Sequence, residues 1–474
     1  MNKQHRSYPM PWRTEDVLTA TGGTLAFGDR HATHASISTD TRTIKNHTIF
    51  VALKGENHDA HRFLVDAAKA GATCIVGTPE GVTDPMGAAL NESGTSLVLV
   101  PDTLEALGRL ARYHRERSQA KVVAITGSNG KTTTRALTEA VLSTEFSVHA
   151  TRGNFNNEVG LPLTLFRLQG DEGFSVLELG MNAPGEMTRL GHICTADTAV
   201  ITCIGESHLE GLGSVEGVAQ AKGELLETLK PGGTIILNAD DPHLKALAER
   251  RGLAPIWFGF SQGAHVRAEN LHWRDGAQHF TLCAKGETQA VTLPLAGRFM
   301  VQNALAAAAV GIEAGVPLNQ IAQGLARVKP EKGRLTVCES QRGVHVIDDT
   351  YNANPTSVRG AITALKQVHS GGRAIAVLGD MGELGEHTAT LHQKVGEAVA
   401  ESGLDALYLC GDNAQEIRRG ALDKGFSPQA ICIDGKERLI ERLLNETDKG
   451  DWVLVKGSRF MGMEQVVGAL LQQA

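Results

Sequence analysis

Residues 121–134 read KVVAITGSNGKTTT. An apolar strand-like run passes into a glycine-rich turn and then into a helical pattern, RALTEAVLS. At such a junction several backbone N–H groups and the positive end of the helix converge on an anion. Lys131 can then reach outer phosphates, and the Thr132 hydroxyl can bind Mg²⁺. The spacing departs from the usual phosphate loop, because Ile125 stands five places before Gly130, where a glycine is expected. Any tight strand-to-helix turn needs glycine, but Gly130-Lys131-Thr132-Thr133 closing a buried strand is far more specific. It predicts a bound nucleotide, with Gly127, Ser128 and Asn129 completing the loop.

Six further residues carry chemistry. Glu178 ends the apolar run FSVLELG, where a carboxylate is either a second metal ligand or a strand end facing water. His208 follows TAVITCI, a run that should end on the same sheet edge; a lone loop histidine is otherwise just a polar residue. Lys222 and Glu224 follow on a helix. Asp348 and Asp349 end VHVIDD before an Asn-rich turn. There they serve either as a cap and turn device or as a wall of a site between domains. No Asn-Lys-x-Asp base-reading motif of a GTPase occurs in the chain.

The elements that must position these residues fall into three blocks. Residues 1–118 hold short strands (Thr48–Leu53, Thr73–Val76, Ser96–Val100) and helices at Arg62–Ala70 and Thr103–Glu116. Residues 119–330 alternate near-continuous apolar strands with helices, the mark of a parallel sheet covered on both faces. Within that block, alternation over 264–295 predicts an antiparallel flap or edge, and ALAAAAVGIEAG a buried helix. Residues 331–474 restart the rhythm with five strands in a separate doubly wound unit, and KPEKGR is the expected hinge. The fold class is therefore α/β in three domains: a central phosphate-loop doubly wound sheet, a small α/β domain before it and a Rossmann-like domain after it.

Composition agrees. A chain of 474 residues is too long for one core, and 53 glycines with 4% aromatics suit many tight strand-to-helix turns. The formal net charge of −7 argues against nucleic acid as the main partner. Seven scattered cysteines with no metal-ligand spacing read as a reduced, cytoplasmic protein. The N-terminus carries no apolar signal region and the chain no run of about 18 apolar residues, so no membrane partner is expected.

The segments TGSNGKTT, GNFNNEVGLPLTL, ELGMNAPGEM, SHLEGLGSVEGVAQAKGEL, DDTYNANPTS, VLGDMGELG and VKGSR occur in that order. Together they closely resemble the Mur ligases. STDTRTIKNHTIFVALKGENHDAHRFLVDAAKAGA is similar to that family's UDP-binding domain, so the resemblance covers nearly the whole chain. Within the family it implies an ATP-dependent ligase that adds D-alanyl-D-alanine to UDP-N-acetylmuramoyl-tripeptide through an acyl phosphate, in peptidoglycan precursor synthesis. A monomer is implied too. The alternatives are a third-residue ligase of the same family or a folylpolyglutamate synthase. Against the former, this chain has Asn354-Pro355-Thr356 in place of a His-Thr-Pro-type turn and lacks an Asp-Asn-Pro-Arg-like motif.

By motif match, Thr132 and Glu178 would hold one Mg²⁺, and His208 a second with Lys222 as a carbamate. Ser38, Asp40, Thr41 and Arg42 would line the uridine diphosphate site. Asn154, Asn156 and Asn157 would contact the muramyl-peptide. Arg334 and Asp348 would reach ATP from the third domain, and Asn303 would lie on the nucleotide side. Asn352, Asn354, Lys456 and Arg459 would sit near the peptide and incoming dipeptide. One departure stands out. Where the family has His-Asn this chain has Phe299-Met300, so apolar packing would replace an amide contact to adenine and ATP selectivity would relax.

Overall fold

The structure is a computed structural model and describes residues 10–55 and 57–472. The chain's first nine residues, with the N-terminal reading made above, lie outside the described residues. Three large sheets carry the fold, and the inner strands of each are mostly apolar runs buried on both faces.

The first is five-stranded, in the order Thr24–Phe27, Ser96–Leu99, Ala72–Gly77, Thr48–Val51, Ser36–Ser38. All but the Thr24–Phe27 edge pair in parallel. The helical segment expected over Arg62–Ala70 opens as a 3₁₀ turn at Ala60–Phe63 before the α-helix Leu64–Lys69.

The central sheet has nine strands. Strand β1 (Lys121–Thr126) lies between β2 (Phe174–Glu178) and β3 (Thr198–Ile201), parallel to both. The chain leaves β1 through helix α1 (Lys131–Leu142), visits the outer strand Val148–Ala150, and returns as β2 on one side. It then crosses to β3 on the other side. The sheet order therefore reverses at β1, and its carboxyl end is the topological switch point where open α/β sheets bind ligands. Residues Val266–Arg274, Ala277–Ala284 and Glu287–Leu293 form the antiparallel edge. Two helices complete this region's part in the site: α2 (Val215–Gly223) and α3 (Arg298–Glu313). The alanine-rich run of α3 is wholly buried, packed against α1 and the central sheet.

The third sheet has six strands, one more than the sequence reading gives. The extra one, Thr336–Glu339, is a half-exposed antiparallel edge whose polar TVCE lacks the apolar run of its neighbours. It flanks β4 (His345–Asp349), which helix α4 (Pro355–Val368) follows. The central strands are β5 (Ala374–Leu378) and β6 (Trp452–Lys456). Register sets Asp349 beside Lys456 and Lys456 beside Leu378, so three strand ends share one edge. No helix among the described residues is long and apolar enough to cross a membrane.

Candidate active site

The phosphate loop is held from below by β3. Gly127 has φ +148°, and a Cβ there would fall 1.9 Å from Thr202 Oγ1. Gly130 has φ +82° and caps α1, and a Cβ there would meet Asn303 Oδ1 at 2.3 Å. Only glycine satisfies both the left-handed backbone and the close approach. Asn303, nearly buried on α3, thus supports the loop itself. Thr202 Oγ1 donates to the Asn129 carbonyl at 2.5 Å, and the Ser128 N–H donates to the Cys203 carbonyl at 2.8 Å. Thr132 and Thr133 are buried in the first turn of α1.

Lys131 folds back so that its Nζ donates to the Gly127 carbonyl at 2.8 Å. Burial lowers its pKa from the ordinary lysine value, partly offset by the Glu178 carboxylate. Register places Glu178 opposite Ile125, at the mouth of the loop. Its Oε1 accepts from Asn156 Nδ2 at 2.9 Å, whereas Oε2 is buried with no hydrogen-bond partner. Lys222, near the end of α2, is fully buried and its Nζ also has no partner. Burial, reinforced by Lys131, pushes its pKa well below the lysine range. Buried polar atoms are normally satisfied, so an unpaired carboxylate oxygen and an unpaired amine at one switch point mark a site that a ligand completes.

His208 adopts a left-handed conformation (φ 53°), and its Nδ1 lies 2.6 Å from Glu383 Oε2 of the third domain. Glu383 is itself left-handed (φ 61°). The His208 contact holds its carboxyl below the usual range. Two strained non-glycine residues facing one another across a cleft are characteristic of functional sites. Among the described residues no three His, Cys, Asp or Glu side chains converge as a metal cage.

The third domain reaches the loop directly. Asn354 Nδ2 donates to Asn129 Oδ1 at 3.0 Å, and Asn129 Nδ2 returns a bond at 3.3 Å. Asn354 also caps α4 through the Ser357 N–H. Asp348 is spent on its own turn, accepting from Thr350 Oγ1 at 2.6 Å and from the N–H groups of Thr350 and Gly333. Lys456 is buried, with Nζ 2.6 Å from Asp349 Oδ2 and 2.9 Å from the Asn352 carbonyl. Arg334 lies over the Tyr351 ring at 4.1 Å, and Arg459 is 5.9 Å from the same ring. Phe299 packs toward α4, since a Cβ on Gly360 would be 3.4 Å from its ring, and Met300 is buried.

Farther out, Ser38 Oγ pairs with Thr43 Oγ1 at 2.9 Å, Asp40 caps the Thr41–Thr43 turn, and exposed Arg42 pairs with Asp40. Asn154 is exposed, and Asn157 Oδ1 accepts from the Gly160 N–H at the start of the helix Gly160–Leu165 at 2.8 Å. Sequence reading missed Glu206, Thr356, Arg359 and Glu383. The first three meet across the domains, where Thr356 Oγ1 donates to Glu206 and Arg359 pairs with it at 2.8 Å. No periodicity or motif signals a contact set by how two domains dock.

Comparison with known proteins gives three family matches: the Mur ligase family catalytic domain over residues 33–115, the Mur ligase middle domain over 125–311, and the Mur ligase glutamate ligase domain over 333–459. The chain is 35% identical over 436 residues to a UDP-N-acetylmuramoyl-tripeptide–D-alanyl-D-alanine ligase of Bacillus subtilis, covering 92% of this chain and 93% of that one. The crystal structure of MurF from Acinetobacter baumannii superposes with a TM-score of 0.89 at 32% identity, covering 98% and 99% of the two chains. MurF ligase from Thermotoga maritima in complex with ADP matches with a TM-score of 0.81 at 29% identity, over 92% and 97% of the chains.

Proposed function

This chain belongs to the Mur ligase family, and from that premise we infer that it joins D-alanyl-D-alanine to UDP-N-acetylmuramoyl-tripeptide in peptidoglycan precursor synthesis, with ATP converted to ADP and phosphate. The single observation that carries the reading is the cluster of buried groups at the switch point. There Lys131 stands on the phosphate loop beside the unpaired Glu178 Oε2, and the buried Lys222 amine is also unpaired.

A carboxylate is a poor electrophile, because attack by an amine would have to expel oxide. In the proposed route one oxygen of the tripeptide's terminal carboxylate attacks the γ-phosphorus of ATP and ADP departs, leaving an acyl phosphate. The D-alanyl-D-alanine amine adds to the acyl carbon, the C–O bond to phosphate breaks, and the nitrogen loses a proton. Lys131 and the loop N–H groups of Gly127–Thr133 offset charge on the transferring phosphoryl. Thr132 and Glu178 would hold one Mg²⁺, and His208 a second with Lys222 as a carbamate; when bound, the ions would supply further charge neutralisation.

Substrate positions follow the motif match. Ser38, Asp40, Thr41 and Arg42 face the uridine diphosphate, and Asn154, Asn156 and Asn157 the muramyl-peptide. Arg334 and Asn303 border the nucleotide, and Asp348 acts through the turn it ties to Gly333. On the third domain Arg459 and Asn352 face the peptide and dipeptide, Lys456 through the strand end it fixes and Asn354 through α4. We place the domain limits at 118/119 and 330/331, on either side of the central sheet. The protein works as a cytoplasmic monomer, where ATP is plentiful and its seven free cysteines stay reduced, and by supplying wall precursor it serves cell shape and division.

Phosphate release tests this reading. Turnover is expected only when UDP-N-acetylmuramoyl-tripeptide, D-alanyl-D-alanine and ATP are all present. Release driven instead by a third-residue amino acid with the UDP-dipeptide, or by glutamate with a folate, would overturn it.

A further inference from the structure

Between β3 and His208 the chain runs as a loop bonded on one side to the phosphate loop and on the other to the third domain. Ser128 Oγ accepts from the Gly205 N–H at 2.9 Å and donates to the Gly205 carbonyl at 3.1 Å. It also lies 2.9 Å from Ser207 Oγ. All these groups are buried, so residues 205–207 move with the phosphate loop. The intervening Glu206 turns away from that loop. Its carboxylate takes the Thr356 hydroxyl, and Arg359 contributes bonds of 2.8 and 3.1 Å. The fit leaves no slack, for a Cβ on Gly205 would lie 2.7 Å from Thr356 Oγ1. Burial alone would raise the Glu206 pKa, yet the Thr356 and Arg359 contacts outweigh it and hold the carboxyl below its ordinary value. Thr356 and Arg359 flank the same first turn of α4 whose cap, Asn354, meets Asn129 of the phosphate loop.

We propose that Glu206 is a positioning residue for the ligase reaction: by gripping Thr356 and Arg359 it sets the first turn of α4 on the phosphate loop, and so fixes the closed arrangement in which phosphoryl transfer occurs. The proposal rests on the ligase reading above and assigns Glu206 no contact with substrate. Misplacing a reacting geometry by about an ångström costs up to about 10²-fold in rate. The contact here is half-exposed and is backed by the Asn129–Asn354 pair, so a smaller loss, about tenfold in kcat, is expected for Glu206→Ala. Affinity of the Glu206→Ala protein for an ATP analogue in the absence of other substrates should match wild type, because the loop itself is intact. Glu206→Gln keeps an acceptor for Thr356 and should recover to within about threefold of wild type. Arg359→Gln probes the contact from the other side and should lower kcat in the same direction.

The test is a kcat and KM series on these variants together with the exchange Glu206→Arg/Arg359→Glu. Small-angle scattering of each would be recorded with the ATP analogue alone and with UDP-tripeptide added. The exchanged pair turning over faster than either of its single variants, with compaction restored, supports the proposal. A Glu206→Ala kcat within twofold of wild type, equal loss of nucleotide affinity, or an exchanged pair no better than its singles overturns it. The functional reading fails separately: no wild-type turnover with the named substrates, while compaction on nucleotide still depends on Glu206, overturns that reading and supports the role of Glu206.

Discussion

Two buried lysines, one in the central domain and one in the third, have surroundings that differ completely. Lys456, at the end of β6, is 2% exposed and its ammonium is matched by Asp349 and the Asn352 carbonyl. Lys222, on α2, is 0% exposed and has no partner at all. Burying an ammonium without compensation is costly, whereas a matched pair mainly fixes geometry and becomes expensive only when one member is removed. In sequence both read as site lysines, Lys456 of VKGSR near the peptide and Lys222 of AKGELLE at the metal. Structure separates them: the satisfied lysine holds a strand end in register with β4, and the unsatisfied one waits for a ligand or a modification. The same contrast sets Glu178, with one oxygen unpaired, against Asp348, whose two oxygens are both taken, one by Thr350 and the other by the Gly333 N–H.

One substitution made at both lysines sharpens the contrast. Lys456→Met strands the Asp349 carboxylate and should cost about 3–5 kcal/mol of unfolding free energy, read by denaturant titration. If stability is unchanged, Asp349 and Lys456 are not the matched pair described here. Next in size, Lys131→Ala removes a charge at the transferring phosphoryl and should lower kcat roughly 10²-fold or more without a comparable loss of stability. Turnover within about threefold of wild type would remove the phosphate loop from the mechanism. Lys222→Met should do the reverse of Lys456→Met. In metal-free, CO₂-depleted buffer it should gain about 1–2 kcal/mol, the scale of a relieved local defect, while ligase activity is largely lost. A destabilised Lys222→Met protein would show that the amine has a structural partner. The smallest effect concerns Phe299 and Met300. Since Met300 is buried and Phe299 packs toward Gly360, the ATP-over-GTP ratio in kcat/KM should be a few-fold smaller than in Phe299→His/Met300→Asn. Equal ratios would mean neither position reads the base.

Much of the central region was legible because its constraints are local. KVVAIT and FSVLE read as buried strands and are buried along nearly their whole lengths, and the glycines of the loop sit where left-handed backbone and close packing demand them. The two readings left open for Asp348 could not be resolved from its neighbours in the chain. Its carboxylate also accepts from Gly333, fifteen residues earlier in the hinge segment. Asn303 read as a nucleotide contact, yet its amide oxygen also defines the space around Gly130. Glu206 and Glu383 were invisible for a different reason. Each sits in an unremarkable polar loop and acquires its partner only when two independently folded sheets dock, and no periodicity within one chain segment encodes that.

The central claim is that the phosphate loop activates the tripeptide's own carboxylate, and isotope transfer tests it most directly. UDP-N-acetylmuramoyl-tripeptide carrying ¹⁸O in its terminal carboxylate would be turned over with ATP and D-alanyl-D-alanine, and the products weighed by mass spectrometry. The account predicts that the released inorganic phosphate carries one labelled oxygen, because the C–O bond breaks when the amine displaces phosphate. Label found in AMP, or amide formed with no label in phosphate, would contradict it.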